Sequence, residues 1–159
     1  MPEWPEEARE RFEAGYRAQM DGRLDDAIAA YTRSIEIFPT AEAHTFRGWA
    51  LSFQGRYQDA IRECRVAIQV DPDFGNPYND IGAYLIELGR LDEAIEWFEK
   101  AKGARRYEPR HYPHFNLSRV YIKQGRIREA IRELEAALGL EPQYLPARRE
   151  LHRLVGMLN

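Results

Sequence analysis

Gly22-Arg23-Leu24-Asp25-Asp26-Ala27-Ile28 is a phrase that the chain repeats. It returns as Gly55-Arg56-Tyr57-Gln58-Asp59-Ala60-Ile61, as Gly89-Arg90-Leu91-Asp92-Glu93-Ala94-Ile95 and as Gly125-Arg126-Ile127-Arg128-Glu129-Ala130-Ile131. The steps from glycine to glycine are 33, 34 and 36 residues. A period of this size marks a repeat architecture, in which one supersecondary unit stacks on the next. Such a stack presents a long curved surface, which suits the binding of another chain better than catalysis.

Each phrase lies between two helical patterns. Ahead of Gly22, residues 8–20 set Phe12, Ala14, Gly15, Tyr16 and Ala18 among charged residues. Behind it, Leu24, Ala27, Ile28, Tyr31, Ile35 and Ile37 follow helical spacing, which places them on one face. The glycine ends the first helix because it tolerates left-handed backbone angles. The acids after it fall in the first turn of the next helix, near the positive end of its dipole. Pro39, Pro72 and Pro142 then stop the second helices. Each unit reads as helix, tight turn, helix, stop.

Small residues keep the same register. Gly15, Gly48, Gly82 and Ser118 each stand seven residues before their turn glycine, and Ala27, Ala60, Ala94 and Ala130 five after it. Ser34, Ala67, Ala101 and Ala137 follow seven further on. Small side chains at fixed places allow close approach of two backbones, where larger ones would overpack. Bulkier slots alternate with them, one holding Tyr31, Cys64, Phe98 and Leu134.

With these positions in place, the units resemble the tetratricopeptide repeat, whose pattern is W-x2-L-G-x2-Y, a turn Gly, A-x3-F and P over 34 residues. The third unit carries it as Tyr78, Ile81, Gly82, Leu85, Gly89, Ala94 and Phe98. The fourth carries it as His114, Leu117, Ser118, Tyr121, Gly125, Ala130, Leu134 and Pro142. The fold expected is an all-α, right-handed α-solenoid of four such helix pairs plus a C-terminal capping helix, with no strands. The chain is read as a single domain, residues 1–159, with units at about 8–40, 41–74, 75–110 and 111–144 and a cap at about 145–158. Arg148, Arg149, Glu150 and Arg153 give that last helix the polar outer face a terminal cap needs.

Composition agrees with a folded, water-facing chain: 44% hydrophobic and 31% charged over 159 residues. No apolar run reaches the roughly 18 residues of a membrane span. The start, Met-Pro-Glu-Trp-Pro-Glu-Glu, lacks the basic and apolar regions of a signal peptide. A single cysteine, Cys64, excludes an internal disulfide framework and fits a reducing, cytoplasmic compartment. A net charge of −3 does not suit nucleic acid as a partner.

No catalytic pattern is visible: there is no phosphate loop, no HExxH and no paired-cysteine motif, so no enzyme activity is expected. Cys64 takes a bulky packing slot and reads as a buried thiol. His111 and His114 are three apart but have no third ligand nearby, so neither metal nor cofactor is expected. Arg47 stands where later units have Ile81 and Leu117, which calls for a packed stem and a guanidinium reaching solvent or an acid. The third unit runs three residues longer before its proline and gathers Lys100, Lys102, Arg105, Arg106 and Arg110. Two readings stay open there: cations at a helix C-terminus, or a docking site for an acidic partner or phosphate.

The resemblance also implies that the first helix of each unit lines a concave groove. The residues placed there are Phe12 and Tyr16 in the first unit, Phe46, Trp49 and Phe53 in the second, and Asn76, Asn79 and Asp80 in the third. Tyr112, Phe115, Asn116 and Arg119 follow in the fourth. Two readings are open for the aromatics: binding anchors in a desolvated trough, or packing between adjacent first helices. The Lys, Asn and Arg clamp that some family members use for a C-terminal carboxylate is absent. Phe12, Tyr16, Phe46, Asn76 and Asp80 stand at the matching places. The function expected is a protein-interaction adaptor holding a hydrophobic or amphipathic segment of a partner protein. The alternative is a structural repeat protein that forms homo-oligomers.

Overall fold

The computed structural model describes residues 3–159, so residues 1 and 2 of the expected domain lie outside the described residues. Nine α-helices follow one another among them. They are α1 (Glu6–Met20), α2 (Leu24–Ile37), α3 (Ala41–Phe53), α4 (Tyr57–Val70), α5 (Asn76–Glu87), α6 (Leu91–Lys102), α7 (His111–Lys123), α8 (Ile127–Leu140) and α9 (Leu145–Met157). The described residues contain no strand, only an isolated bridge between Phe74 and Arg106. Each odd helix packs against the next even one, each pair against the next pair, and α9 closes the stack on α8. The odd helices also touch in series, α1 with α3, α3 with α5 and α5 with α7. They therefore occupy the inside of the curve.

The repeated phrase is a helix-ending device. Gly22, Gly55, Gly89 and Gly125 have φ of 78°, 76°, 75° and 73°. A side chain at any of them would meet nothing within 4 Å, so the requirement is conformational, not spatial. The Gly22 N–H donates to the Gln19 carbonyl at 3.0 Å and the Arg23 N–H to the Ala18 carbonyl at 2.9 Å, a Schellman closure. The same two bonds close α3, α5 and α7. The arginine of the phrase then turns onto the acid three residues later: Arg23 to Asp26, Arg56 to Asp59, Arg90 to Glu93, Arg126 to Glu129. These pairs are exposed, and each adds at most about 1 kcal/mol.

The core consists of matched small and large residues sixteen apart. A Cβ added at Gly15 would lie 2.6 Å from the Tyr31 ring, and one at Gly82 2.5 Å from the Phe98 ring. At Gly48 it would meet the Ala60 carbonyl oxygen at 3.0 Å. Ser118 carries a Cβ, and its opposite number is Leu134, not an aromatic ring. Tyr31, Phe98 and Leu134 are fully buried.

A second pairing, nineteen residues apart, ties the helices of a unit on their other flank. His44 Nδ1 lies 3.0 Å from Glu63 Oε2, and His114 Nδ1 2.7 Å from Glu133 Oε2. In the third unit Tyr78 and Trp97 meet there instead, with ring centroids 6.1 Å apart. Glu63 also accepts two bonds from Arg47, Nε at 2.9 Å and Nη2 at 2.6 Å, so this arginine reaches an acid through a half-buried fork. Burial alone would push the Glu63 carboxyl up; the bonds from His44 and Arg47 outweigh it and hold it below the ordinary carboxylate range. A carboxyl depressed in the folded state adds stability that is present above its unfolded value and lost as pH falls. Replacing Glu63 by alanine strands two polar partners and is expected to lower stability by about 2 kcal/mol at pH 7. The loss should shrink toward pH 3, as urea unfolding at the two pH values would show.

Residues 103–110, which contain the extra length of the third unit, leave the helix at Gly103 and fold back across the α4–α5 junction. The Arg106 N–H donates to the Asp73 carbonyl at 2.9 Å, and its own carbonyl accepts from the Gly75 N–H at 3.0 Å. The Arg106 guanidinium pairs with Asp71 at 2.7 Å and Glu42 at 3.4 Å and stands 4.3 Å over the Phe74 ring. Tyr107 is buried against Gly75, where a Cβ would come within 2.4 Å of the tyrosine.

Candidate functional site: an aromatic cleft on the inner face

Helical period puts one residue per turn of each odd helix on the inside of the curve. Tyr16 of α1, Thr45, Phe46 and Trp49 of α3, Asn76, Asn79 and Asp80 of α5, and Tyr112, Phe115 and Asn116 of α7 meet there. They line one cleft of about 640 Å³, completed by Tyr107, Pro109 and Tyr144. Tyr16 and Tyr112 are exposed at its opposite sides, at 43% and 40%. The aromatics form two clusters. Tyr16, Phe46, Trp49 and Phe53 run in series with centroid separations of 6.0, 5.7 and 5.2 Å. Across the cleft, Tyr144 stands 5.8 Å from Tyr112 and 5.3 Å from Phe115.

Of the twelve residues expected in the groove, Tyr16, Phe46, Trp49, Asn76, Asn79, Asp80, Tyr112, Phe115 and Asn116 share this cleft. The other three are placed differently. Phe12 packs between Trp4, Tyr31 and Phe46 at centroid distances of 5.1, 5.6 and 5.1 Å, beneath the aromatic series. Phe53 lies past the cleft's end, 58% exposed and tilted against Trp49. Arg119 sits at the rim, donating to Asn116 Oδ1 at 3.1 Å and facing Glu87 at 3.8 Å. Tyr107, Pro109 and Tyr144 were not foreseen. Tyr107 and Pro109 come from the loop 103–110 of the third unit, and Tyr144 from the turn before α9, so none lies on a first helix.

Polar groups in the cleft are few. Asn116 Nδ2 donates to Asn79 Oδ1 at 3.0 Å and so spans α5 and α7. Asp80 is half-buried beside this bridge. Desolvation pushes its carboxyl up to about 7, against only the Asn79 amide, which favours the ionised form. The Cys64 thiol behind it is fully buried and held well above its ordinary range by desolvation and by the Asp80 charge, so it is no nucleophile. No group of three or more His, Cys, Asp or Glu converges as metal ligands among the described residues. None of the described helices is long and apolar enough to cross a membrane. The five cations of the long unit do not share one anion site. Lys102 pairs with Glu99 and Glu133, Arg106 with Asp71 and Glu42, and Lys100 lies over the Trp97 ring.

A stack of antiparallel helix pairs with an aromatic trough on its inner face defines an α-helical repeat protein. More specifically, the chain belongs to the tetratricopeptide repeat family. Family models described as tetratricopeptide repeat match residues 12–77 and 73–140. It is 36% identical over 75 residues to small glutamine-rich tetratricopeptide repeat-containing protein 2 of Mycosarcoma maydis, covering 46% of this chain and 21% of that protein. The chain thus spans about a fifth of that relative's length. Among solved structures, Pseudomonas aeruginosa pilF superposes with a TM-score of 0.88 at 22% identity, over 96% of this chain and 69% of that one. PilW, described as a widely conserved type IV pilus biogenesis factor, superposes with a TM-score of 0.85 at 22% identity, over 96% and 70%. At that identity the likeness is one of fold.

Proposed function

We propose that this chain is a cytoplasmic protein-interaction module that holds an extended or helical segment of a partner in its inner cleft, without catalysis of its own. The whole chain acts as one domain, four units at about 8–40, 41–74, 75–110 and 111–144 and a cap at 145–158. The observation that carries the reading is the convergence of aromatic rings from α1, α3 and α7 on one open cleft. Rings that only packed the helices together would be sealed, yet Tyr16 and Tyr112 leave two-fifths of their surface uncovered. Large, partly exposed aromatics around a shielded floor are what binding anchors need. Phe12 and Arg119 serve from behind and beside the cleft, and Phe53 extends the apolar strip beyond it.

A Tyr16→Ala, Trp49→Ala double variant is expected to keep its helical circular dichroism and lose partner affinity at least tenfold. Affinity purification of both forms from the native cell, with mass spectrometry, checks this. A protein recovered equally by the two forms would place binding elsewhere. Leu140, Leu145, Val155, Met157 and Leu158 are exposed at the C-terminal end and favour a second reading, self-association. Light scattering across micromolar concentrations separates the two, since only the second gives a mass that rises with concentration.

A further inference from the structure

We propose that the cleft selects a cationic side chain, a lysine or arginine of the bound segment, with the Asp80 carboxylate as its counter-ion and the aromatic rings as its walls. The inference rests on the groove reading above and adds the chemistry of the occupant. Asp80 is the one acid among the residues that line the cleft, and no lysine, arginine or histidine lines it with it. Other partly buried acids of the chain each hold an internal cation: Glu63 has Arg47, Glu133 has Lys102 and Asp71 has Arg106. Asp80 makes no ion pair among the described residues, and no neighbouring cation favours its charge. Arg119, at the rim, is turned to Asn116 and Glu87.

The surroundings fit the same occupant. Trp49, Phe46, Tyr107 and Tyr112 line the same cleft as Asp80, and aromatic rings attract a cation through the negative potential of their faces. The Tyr84 phenol, one helical turn along α5 from Asp80, is buried behind the cleft and feels the Asp80 charge. A bound anion would be repelled, and a neutral side chain would leave a desolvated carboxylate uncompensated. A cation with an apolar stem satisfies the acid with its head and the rings with its methylenes. Arginine and lysine flanked by apolar residues therefore define the segment.

The test pans the full chain against a display library of short peptides. Binders are expected to share a lysine or arginine within apolar sequence. Replacing that residue by norleucine should weaken binding to the native chain about tenfold or more. The Asp80→Asn chain should bind both peptides alike, and Asp80→Glu should keep the preference. Binders without a cation, or a norleucine penalty as large in Asp80→Asn as in the native chain, overturn the cation inference. The groove reading then survives if those binders are lost on the Tyr16→Ala, Trp49→Ala chain. Binders indifferent to that double change, or a library that yields none, overturn both. Asp80→Ser repeats the charge removal with a smaller side chain, and circular dichroism shows that each variant is folded.

Discussion

A Gly82→Ser chain is expected to unfold about 3 kcal/mol more easily than the native one, and to recover most of that loss when Phe98→Leu is added. The serine Cβ would lie 2.5 Å from a Phe98 ring that is fully buried and has no room to withdraw. The fourth unit shows how the same slot accommodates a Cβ: Ser118 stands there, and its partner sixteen residues on is Leu134. The double variant copies that pair into the third unit. Phe98→Leu alone should cost about 1–2 kcal/mol through lost ring contacts. Urea unfolding of the four chains measures the coupling, and strictly additive effects would refute the pairing. Gly89→Ser is the control. Its φ of 75° penalises any side chain, but nothing lies within 4 Å, so Phe98→Leu should not rescue it.

Asp80→Asn is expected to act in the opposite direction, stabilising the chain by about 2–3 kcal/mol at pH 8 and by almost nothing at pH 4. A native carboxyl that titrates near 7, against 3.8 for an ordinary one, holds its proton more tightly than the unfolded chain does. Stability therefore falls as pH rises between those values, and the ionised form bears the full penalty above them. The ceiling is about 4 kcal/mol, reduced because the cleft admits water to one side of the carboxylate. The ionisable groups facing Asp80 are Cys64 from α4, Tyr84 on its own helix and Tyr107 from the loop after α6. Each is held above its ordinary range, so all three stay protonated across this interval and Asp80 carries the change. At about 2–4 °C per kcal/mol for a chain of this size, the gain at pH 8 is roughly 5–10 °C in melting temperature. An equal gain at both pH values would show that the carboxylate is not desolvated. A residue that weakens the fold while facing an open cleft is the usual signature of selection for function over stability.

The repeat phrase made the helices, their order and their turns legible from sequence, because each rule behind it is local: glycine at the left-handed position, acid in the first turn, proline after the second helix. Arg47, read as reaching solvent or an acid, reaches Glu63. The two histidine–glutamate contacts were not anticipated, though His44–Glu63 and His114–Glu133 share a spacing that a repeat alignment displays. The cleft was legible where it depends on helical period, as at Tyr16, Trp49 and Asn116. It was not where a loop supplies the wall. Nothing periodic marks Tyr107 or Tyr144, and their places follow from the backbone path of residues 103–110 and of the turn before α9. Phe12 illustrates the remaining ambiguity, since residues one turn apart on the same helix face either the cleft or the layer below it.

In an ordinary stack of helix pairs, contacts stay near in sequence and each pair can zip onto the last. Here Arg106 reaches Glu42, 64 residues earlier, and two main-chain bonds stitch its segment to residues 73 and 75. The contacts that pin Glu42 and Asp71 come from a stretch that leaves the ribosome long after the helices of the second pair. Closing so wide a loop slows assembly. Once closed, the stitch is expected to make the middle of the molecule melt as a block while the two ends fray around it.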